Sequence, residues 1–227
     1  MTKKLLTFCA SILFIFSIVG LAACNSNKIV ETDYFRIELN RKKKFAIVLE
    51  LTEVGREQEI LSVPMFVEGL PVKQIGGNVK IWYEGDSIRS QNLVKLYIPH
   101  TVVKVISKIE MAIDSEVVIM LMDRSTINFG KIVSWKRNII HPTRDTYDST
   151  RPNVSFFYNY QDSPNQDYFW FDYITESNLF MFPPTPIRQG FDFMGWFLEP
   201  EPMTPWNNRM PEMVEDTLNL YAKWQEK

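Results

Sequence analysis

Residues 183–197 read PPTPIRQGFDFMGWF, and residues 218–224 read LNLYAKW. Gly190 and Gly195 bracket a predicted strand at places where the chain needs a tight turn or a close approach of backbone. The two phrases lie about 20 residues apart and predict two strands of a small β module at the end of the chain.

Aromatic side chains are concentrated in this part of the sequence. Residues 154–224 hold 18 of the 31 Phe, Trp and Tyr residues. A domain of about 70 residues buries only around 60% of its unfolded surface, and each large ring can compensate by burying about 150–250 Å². The predicted core of the module consists of Phe191, Phe193, Trp196, Tyr221 and Trp224.

The two phrases resemble the internalin-type B repeat, also called the Listeria–Bacteroides repeat, over about a third of the chain. The resemblance implies a β-grasp-like module over 154–227 that serves exported bacterial proteins as a spacer or interaction unit. Asn159-Tyr160-Gln161 replaces the family's Asn-Gly-Gly turn, and a further glycine is missing near residues 175–177. Because other residues do not easily take positive φ, we expect longer loops or another turn type there.

The run Tyr168-Phe169-Trp170-Phe171-Asp172-Tyr173 is the feature most open to a binding role. In a regular strand, Tyr168 and Trp170 face one side, and both faces of the strand are aromatic. Tyr168 and Trp170 are therefore a candidate platform for stacking on sugar rings or on a partner protein. The alternative is that the module's own core covers one face and the preceding segment covers the other.

Residues 34–51 predict a β-hairpin. Apolar side chains alternate on both sides of the polar turn 40–44, and the alternating set is Phe35, Ile37, Leu39, Phe45, Ile47, Leu49 and Leu51. The run Arg41-Lys42-Lys43-Lys44 within this turn is basic. It is either a solvated turn or a contact with anionic lipid or cell-wall polymer.

Residues 60–122 contain short apolar phrases that predict a small solenoid of stacked strands. Residues 63–76 and 93–106 resemble BspA-like leucine-rich repeats of bacterial surface proteins. Their two Val/Ile-Pro pairs, at 63–64 and 98–99, are farther apart than the length of the family's repeat. The resemblance therefore implies a short, degenerate array that needs neighbouring elements as caps.

The polar, proline-containing stretch 138–153 has no period and predicts a linker. The sequence is thus divided into a hairpin plus leucine-rich-repeat-like segment (34–137), a linker (138–153) and the terminal module (154–227). The predicted fold class is mainly β, of α+β type: a short irregular leucine-rich-repeat-like segment followed by a small β-grasp-like module.

The first 24 residues predict export. Lys3 and Lys4 precede an apolar run, and Leu21-Ala22-Ala23-Cys24 resembles the lipobox of bacterial lipoproteins. This resemblance implies a signal peptide over 1–23 and a diacylglyceryl group on Cys24, followed by a tether over 24–33; two acyl chains anchor a protein stably. The apolar run also has the length of a transmembrane helix, which is the alternative.

Composition excludes several classes of protein. With 25 Lys plus Arg against 27 Asp plus Glu, the chain is not a nucleic-acid binder, and removing residues 1–23 takes its net charge from −2 to −4. The mature chain retains one of the two cysteines, so it has no internal disulfide.

No catalytic motif is present, and neither His100 nor His141 has the partners of a triad or metal site. Five carboxylates in the last module lack the spacing of a calcium loop and indicate a solvated acidic face: Glu199, Glu201, Glu212, Glu215 and Asp216. We therefore expect no cofactor, no metal and no catalytic residue. A small envelope hydrolase remains a remote alternative.

These features predict a non-enzymatic lipoprotein of the bacterial cell membrane, facing outward or into the envelope. Its partners would be the membrane, through Cys24, and a protein or glycan. The alternative is a structural spacer or assembly lipoprotein without an external ligand. An uncovered aromatic patch would favour binding, and a uniformly polar surface would favour the spacer.

Overall fold

The computed structural model describes residues 27–77, 88–123, 127, 132–133, 138–143, 149–201, 204–209 and 214–227. Strands dominate its secondary structure, so the predicted mainly-β fold class is confirmed. The predicted signal peptide and Cys24 lie outside the described residues. In the part of the chain that is described, no helix has the length and hydropathy needed to cross a membrane.

The N-terminal sheet begins with three antiparallel strands: β1 (Lys28–Glu31), β2 (Phe35–Asn40) and β3 (Phe45–Leu51). β2 and β3 form the predicted hairpin. Alternate apolar side chains of β2 are buried, as expected for a strand with one face towards the core. The tether predicted over 24–33 is too long, because residues 28–31 of it form β1. This edge strand places Lys28 opposite Leu39. Most of β1 is exposed, so its sequence carries no alternating apolar signal.

A single helical turn, α1 (Glu53–Arg56), follows β3. The remaining strands of the first part of the chain are short. They are β4 (Ile60–Ser62), β5 (Phe66–Val67), β6 (Leu70–Ile75), β7 (Ile88–Arg89), β8 (Lys95–Ile98), β9 (Lys104–Val105), β10 (Ile109–Glu110), β11 (Glu116–Ile119), β12 (Ile132–Val133), β13 (Asn138–Ile140) and β14 (Ser149–Thr150). We call this first part, residues 27–150, the body.

Two parallel sheets run along the body, one of order β4-β8-β11-β13-β14 and one of order β7-β10-β12. Within each sheet, the order of the strands follows their order in the chain, as in a coil that advances by one turn per strand. Leu96 of β8 pairs with Val117 of β11, and Val117 pairs in turn with Ile139 of β13. All three side chains belong to one buried apolar cluster. This stacking follows the predicted arrangement, in which each unit buries its apolar face against its neighbours.

The N-terminal sheet caps the coils. β6 pairs in parallel with β3 on one side and with β9 on the other, while β5 forms a hairpin with β6. At the end of β6, Gly76 has φ +94°, and a Cβ there would lie 2.5 Å from the backbone nitrogen of Ser107. The Ile75-Gly76 step therefore requires glycine both for its conformation and for its close approach to the next coil.

The predicted linker over 138–153 is wrong over much of its length. β13 and β14 fall within it and extend the parallel sheet beyond β11. Such short strands have no readable period, and their hydrogen-bonded neighbours define them instead. Residues 144–148 are outside the described residues, and only residues 151–153 separate β14 from the next strand.

The C-terminal module, residues 154–227, has four strands: β15 (Val154–Phe157), β16 (Tyr168–Asp172), β17 (Phe191–Phe197) and β18 (Leu218–Glu226). Its sheet has the order β16-β15-β18-β17. The two central strands, β15 and β18, are parallel to each other. β16 pairs antiparallel with β15 on one side, and β17 pairs antiparallel with β18 on the other. This mixed sheet has the strand order of a β-grasp fold. Residues 173–190, which join the second strand to the third, contain no helix.

In the connection before β16, where the family's glycines are missing, Asn, Asp and Gln residues take up positive φ. Asn159 and Asp162 have φ of 54° and 58°, and residues 165–167 also have positive φ. The carboxylate of Asp167 accepts hydrogen bonds from the Asn159 amide (2.9 Å) and the Ser163 hydroxyl (2.6 Å). Asn and Asp tolerate this region through such local bonds. The connection spans residues 158–167 and is long, as predicted.

Of the five predicted core aromatics, only Trp196 is buried, and the other four are half-buried. The core of the module instead centres on its first hairpin, with Phe156, Phe169, Trp170 and Phe171 almost fully buried. β15 is an inner strand and β16 packs against the body, whereas β17 is an edge strand. Burial therefore follows position in the sheet and contact with the body.

Candidate functional site

Four polar side chains join the module to the body, and we call them the clasp: Lys95, Tyr97, Glu116 and Asp172. The Lys95 side chain is 1% exposed and its Nζ lies 2.8 Å from Asp172 Oδ1 and 3.0 Å from Glu116 Oε2. Nζ also donates to the carbonyl oxygen of Leu179 at 2.8 Å. An ammonium group has three protons, so all three donors of Lys95 have acceptors.

Tyr97 completes the clasp. Its hydroxyl donates to Asp172 Oδ2 at 2.6 Å and accepts a hydrogen bond from the Met181 amide at 2.9 Å. Burial raises the pKa of Asp172 to about 6, against the lowering effect of Lys95, and burial also raises the pKa of Tyr97. At neutral pH the clasp therefore holds an ionised Asp172 paired with Lys95 and a neutral Tyr97 that donates to it.

Apolar contacts surround the clasp. The Tyr97 ring stacks on Trp170, and His141 of the body meets the edge of Phe171 with ring centroids 5.8 Å apart. The Asn165 side chain, in the connection before β16, accepts from the Met122 amide and donates to the Met120 carbonyl. Body and module are thus locked by polar and aromatic contacts from several elements, and they form one unit.

Residues 179–188, which we call the strap, leave the clasp and cross the junction. Leu179 and Met181 fix its start through Lys95 and Tyr97. At its end, the Arg188 guanidinium lies 3.6 Å from the Phe191 ring centroid and 4.3 Å from that of Tyr160. Pro183, Pro184 and Pro186 lie between, and each fixes its own φ. The strap is held at both ends and stiff in the middle.

Between the strap, the body and the connection before β16 lies an apolar groove of about 690 Å³. Val63 and Phe169 are buried in its wall, while Phe66 and Phe182 are 50% exposed and Ile187 is 77% exposed. The other lining residues are Ser62, Pro64, Met65, His100, Tyr158, Pro164, Met181, Pro184 and Thr185. The volume lies in the range of protein ligand sites.

His100 and Tyr158 are the titratable side chains of the groove. The Tyr158 hydroxyl lies 3.3 Å from His100 Nε2, and the two rings meet edge to face. Burial lowers the pKa of His100 to about 4 and raises that of Tyr158. Both side chains are therefore neutral at physiological pH, so the groove presents no charge to an occupant.

The predicted platform of Tyr168 and Trp170 is corrected. Phe156 pairs with Trp170 and the next residue, Phe157, pairs with Tyr168, so an irregularity in the register puts Tyr168 and Trp170 on opposite faces. Trp170 is 1% exposed beneath Tyr97. The alternative interpretation, in which the body covers one face of this strand, describes Trp170 correctly.

Tyr168 instead begins an aromatic row on the other face of the module. Its ring lies 4.9 Å from that of Phe157, which stacks on Tyr221 at 5.2 Å. All three rings are half-buried. Four of the five carboxylates of the acidic face, those other than Glu212, are in the described residues, and they are exposed on the surface.

Sequence reasoning missed the clasp and the groove. Lys95 lies in the middle of the body and Asp172 lies in the C-terminal module, and neither carries a motif, so their pairing has no local signal. The proline-rich start of residues 183–197 was a signal for the stiff strap. Within the described residues, no three His, Cys, Asp or Glu side chains come together as metal ligands would.

Comparison with known proteins gives a match for the C-terminal module. The family model of the Listeria-Bacteroides repeat domain matches residues 153–223, about a third of the chain. No curated protein and no solved structure matches the chain significantly. Members of this repeat family are surface-type repeats, and the family is not an enzyme family. The C-terminal module is thus detected as a Listeria-Bacteroides repeat domain, which is compatible with a non-enzymatic protein of the cell envelope.

Proposed function

We propose that this protein is a non-enzymatic, lipid-anchored protein of the bacterial cell envelope that binds an apolar segment of a partner protein. The binding site is the groove between the body and the C-terminal module. One observation carries the proposal: Phe66, Phe182 and Ile187 stand exposed around the same groove. Contiguous exposed apolar side chains mark interaction sites far more often than scattered ones do.

The lining favours a protein segment over a glycan. Sugar rings need several hydrogen-bonding partners as well as a stacking surface, and the groove offers few polar side chains beside Ser62, His100 and Tyr158. Met65 and Met181 add flexible, polarisable surface that adapts to apolar side chains of different shape. The groove is open along its exposed rim, which suits a segment of a larger chain.

The exposed rim also favours binding over the role of a passive spacer. A spacer without a ligand needs only a polar surface. Two half-exposed phenylalanines and an exposed isoleucine around one cavity promote aggregation unless a partner covers them. The stiff strap supports the same proposal, because a preformed site loses less conformational freedom when it binds.

Anchoring rests on Leu21-Ala22-Ala23-Cys24 and the apolar run before it. In the proposal, Cys24 carries the lipid and becomes the first residue of the mature chain, which then stands at the outer face of the membrane. Labelling of cells with a palmitate analogue tests this step: the wild type should be labelled, and Cys24→Ala should not. Labelling of Cys24→Ala would contradict the assignment.

The groove is tested with the full lipidated chain in phospholipid nanodiscs, panned against a displayed library of random peptides. We expect the selected peptides to be rich in apolar and aromatic side chains. The variant Phe182→Ser with Ile187→Ser should weaken their binding at least tenfold. The matched control is Ile113→Ser, which removes a comparably exposed apolar side chain of the body outside the groove.

Two outcomes would contradict the groove as the binding site. One is that no apolar peptide is selected. The other is that the rim variant binds the selected peptides as well as Ile113→Ser does. A third experiment offers both proteins the glycans of a cell-wall digest. If the wild type and the rim variant bind the same glycan equally well, the binding site lies on another surface of the protein.

A further inference from the structure

The turn between β2 and β3 is positively charged and lies beside the point where the chain enters the body. Lys28 is the first residue of β1 and pairs with Leu39, near the end of β2. Arg41, Lys42, Lys43 and Lys44 follow directly and are all exposed. The chain therefore emerges from the body next to its most basic segment.

A hydrogen bond from a buried side chain closes the turn. The Asn40 side chain is buried, and its Oδ1 accepts a hydrogen bond from the Lys43 amide at 2.9 Å. Lys44 has φ 56°, a conformation in which glycine or asparagine would be less strained.

The charges at this end do not cancel. Glu68 accepts from both Lys28 (3.0 Å) and Arg41 (2.6 Å), and Glu38 is the other nearby carboxylate. Within the described residues, the side chains of Lys42, Lys43 and Lys44 have no hydrogen bond or ion pair. Five cations against two carboxylates leave this end positive in a chain whose net charge is −2.

We propose that residues 41–44 dock on anionic phospholipid headgroups and orient the protein on the membrane. The inference rests on the proposed lipidation of Cys24. From Cys24 to Lys28 the chain can extend at most about 14 Å, so the turn cannot move far from the bilayer. Each lysine near an anionic surface strengthens binding by about fivefold, and salt screens the attraction.

Lysine acylation by a membrane-impermeant reagent, read by mass spectrometry, tests the docking on the full lipidated chain. The protein is reconstituted in vesicles of phosphatidylcholine alone or with phosphatidylglycerol. We expect Lys42, Lys43 and Lys44 to react at least fivefold more slowly in the anionic vesicles, and high salt to remove the difference. Lys104 and Lys108, which are exposed on the coils, should react equally in both.

A charge variant sharpens the test. Lys42→Gln with Lys43→Gln should return the reactivity of Lys44 to its value on phosphatidylcholine, whereas Lys104→Gln with Lys108→Gln should leave Lys44 protected. Equal acylation of residues 42–44 on both kinds of vesicle would overturn the proposal. Protection that needs added polyglycerol phosphate would overturn it too, because the occupant would then be a wall polymer.

Flotation of the vesicles separates this failure from a failure of the anchor. A chain without lipid on Cys24 does not float with phosphatidylcholine vesicles, which overturns both the anchor and the docking that rests on it. A chain that floats with both vesicles but leaves residues 42–44 equally reactive keeps the anchor and overturns the docking alone.

Discussion

The ring of Tyr97 stacks on the indole of Trp170 with centroids 4.8 Å apart and planes inclined by 21°. Tyr97 belongs to β8, an inner strand of the five-stranded parallel sheet, and Trp170 belongs to the first hairpin of the C-terminal module. This contact, together with the clasp beside it, makes the C-terminal module part of one unit with the body. The groove exists only where these two parts meet.

Removal of the Trp170 ring should destabilise this unit strongly. A large aromatic residue replaced by alanine in a core lowers the free energy of unfolding by about 3–5 kcal/mol. Trp170→Ala should fall in this range, whereas Tyr168→Ala, which removes a half-buried ring from the same strand, should lose about half as much or less. Urea unfolding followed by circular dichroism measures both. Similar losses of unfolding free energy in the two variants would contradict the finding that Trp170 is buried more deeply than Tyr168.

Breaking the clasp should leave an unpaired buried charge. Lys95→Ala removes the cation opposite Asp172 and Glu116, and one-sided removal of a buried pair lowers the free energy of unfolding by about 3–5 kcal/mol. The exposed pair of Lys227 with Asp192 is the control, since Lys227→Ala should change stability by less than about 1 kcal/mol. Thermal unfolding of both variants distinguishes them, and a mild effect of Lys95→Ala would mean that water reaches the clasp.

Acid should destabilise the protein partly through His100. Its folded pKa of about 4 lies below the usual 6.5, so between these values the unfolded chain binds a proton that the folded chain does not. The contribution of neutral His100 to the free energy of unfolding is therefore fully present above pH 6.5 and is lost as the pH falls towards 4. His100→Gln should reduce the loss of stability over this window, by about 3 kcal/mol at most.

Asp172 acts in the opposite direction and serves as the contrast. Its folded pKa of about 6 lies above the usual 3.8, so acidification from 6 to 3.8 favours the folded state at this group. Asp172→Asn should therefore lose more stability on acidification than the wild type does. Denaturation curves at about pH 4.5 and about pH 7 for the three proteins test both signs. An unchanged pH dependence in His100→Gln would contradict its burial as a neutral group.

A methyl group should be tolerated at Gly69 but not at Gly76. Both residues have positive φ, which strains alanine by about 1 kcal/mol. A Cβ at Gly69 meets nothing within 4 Å, whereas a Cβ at Gly76 overlaps Ser107. Gly69→Ala should therefore remain within about 1 kcal/mol of the wild type, and Gly76→Ala should be clearly less stable. Comparison of their urea midpoints tests whether β6 packs on the next coil as described.

Local patterns in the sequence predicted the parts of this fold that local chemistry determines. The alternation around Phe35 and Ile37 specified the first hairpin, and the phrases at 183–197 and 218–224 identified the module and its last two strands. β13 and β14 were missed because such short strands cannot display a period. Their strand character comes from pairing with β11 and with each other, which is a contact between successive coils.

The candidate site depended on contacts that no local pattern encodes. The platform prediction assumed regular alternation along β16, and a register irregularity beside Phe157 separated Tyr168 from Trp170. Tyr97, which covers Trp170, belongs to β8 in the middle of the body and is remote from it in the sequence. The groove likewise draws Phe66 from the body and Phe182 from the strap, so it emerges only when the chain is folded.

Site-specific photocrosslinking in intact cells tests the proposed binding groove most directly. A benzophenone amino acid replaces Phe182 at the rim of the groove, and the same group at Ile113 is the control. The account predicts a discrete protein adduct at position 182 that is absent at position 113 and is lost when Phe66→Ser and Ile187→Ser are added. No adduct at position 182, or the same adducts at both positions and in the rim variant, would contradict it.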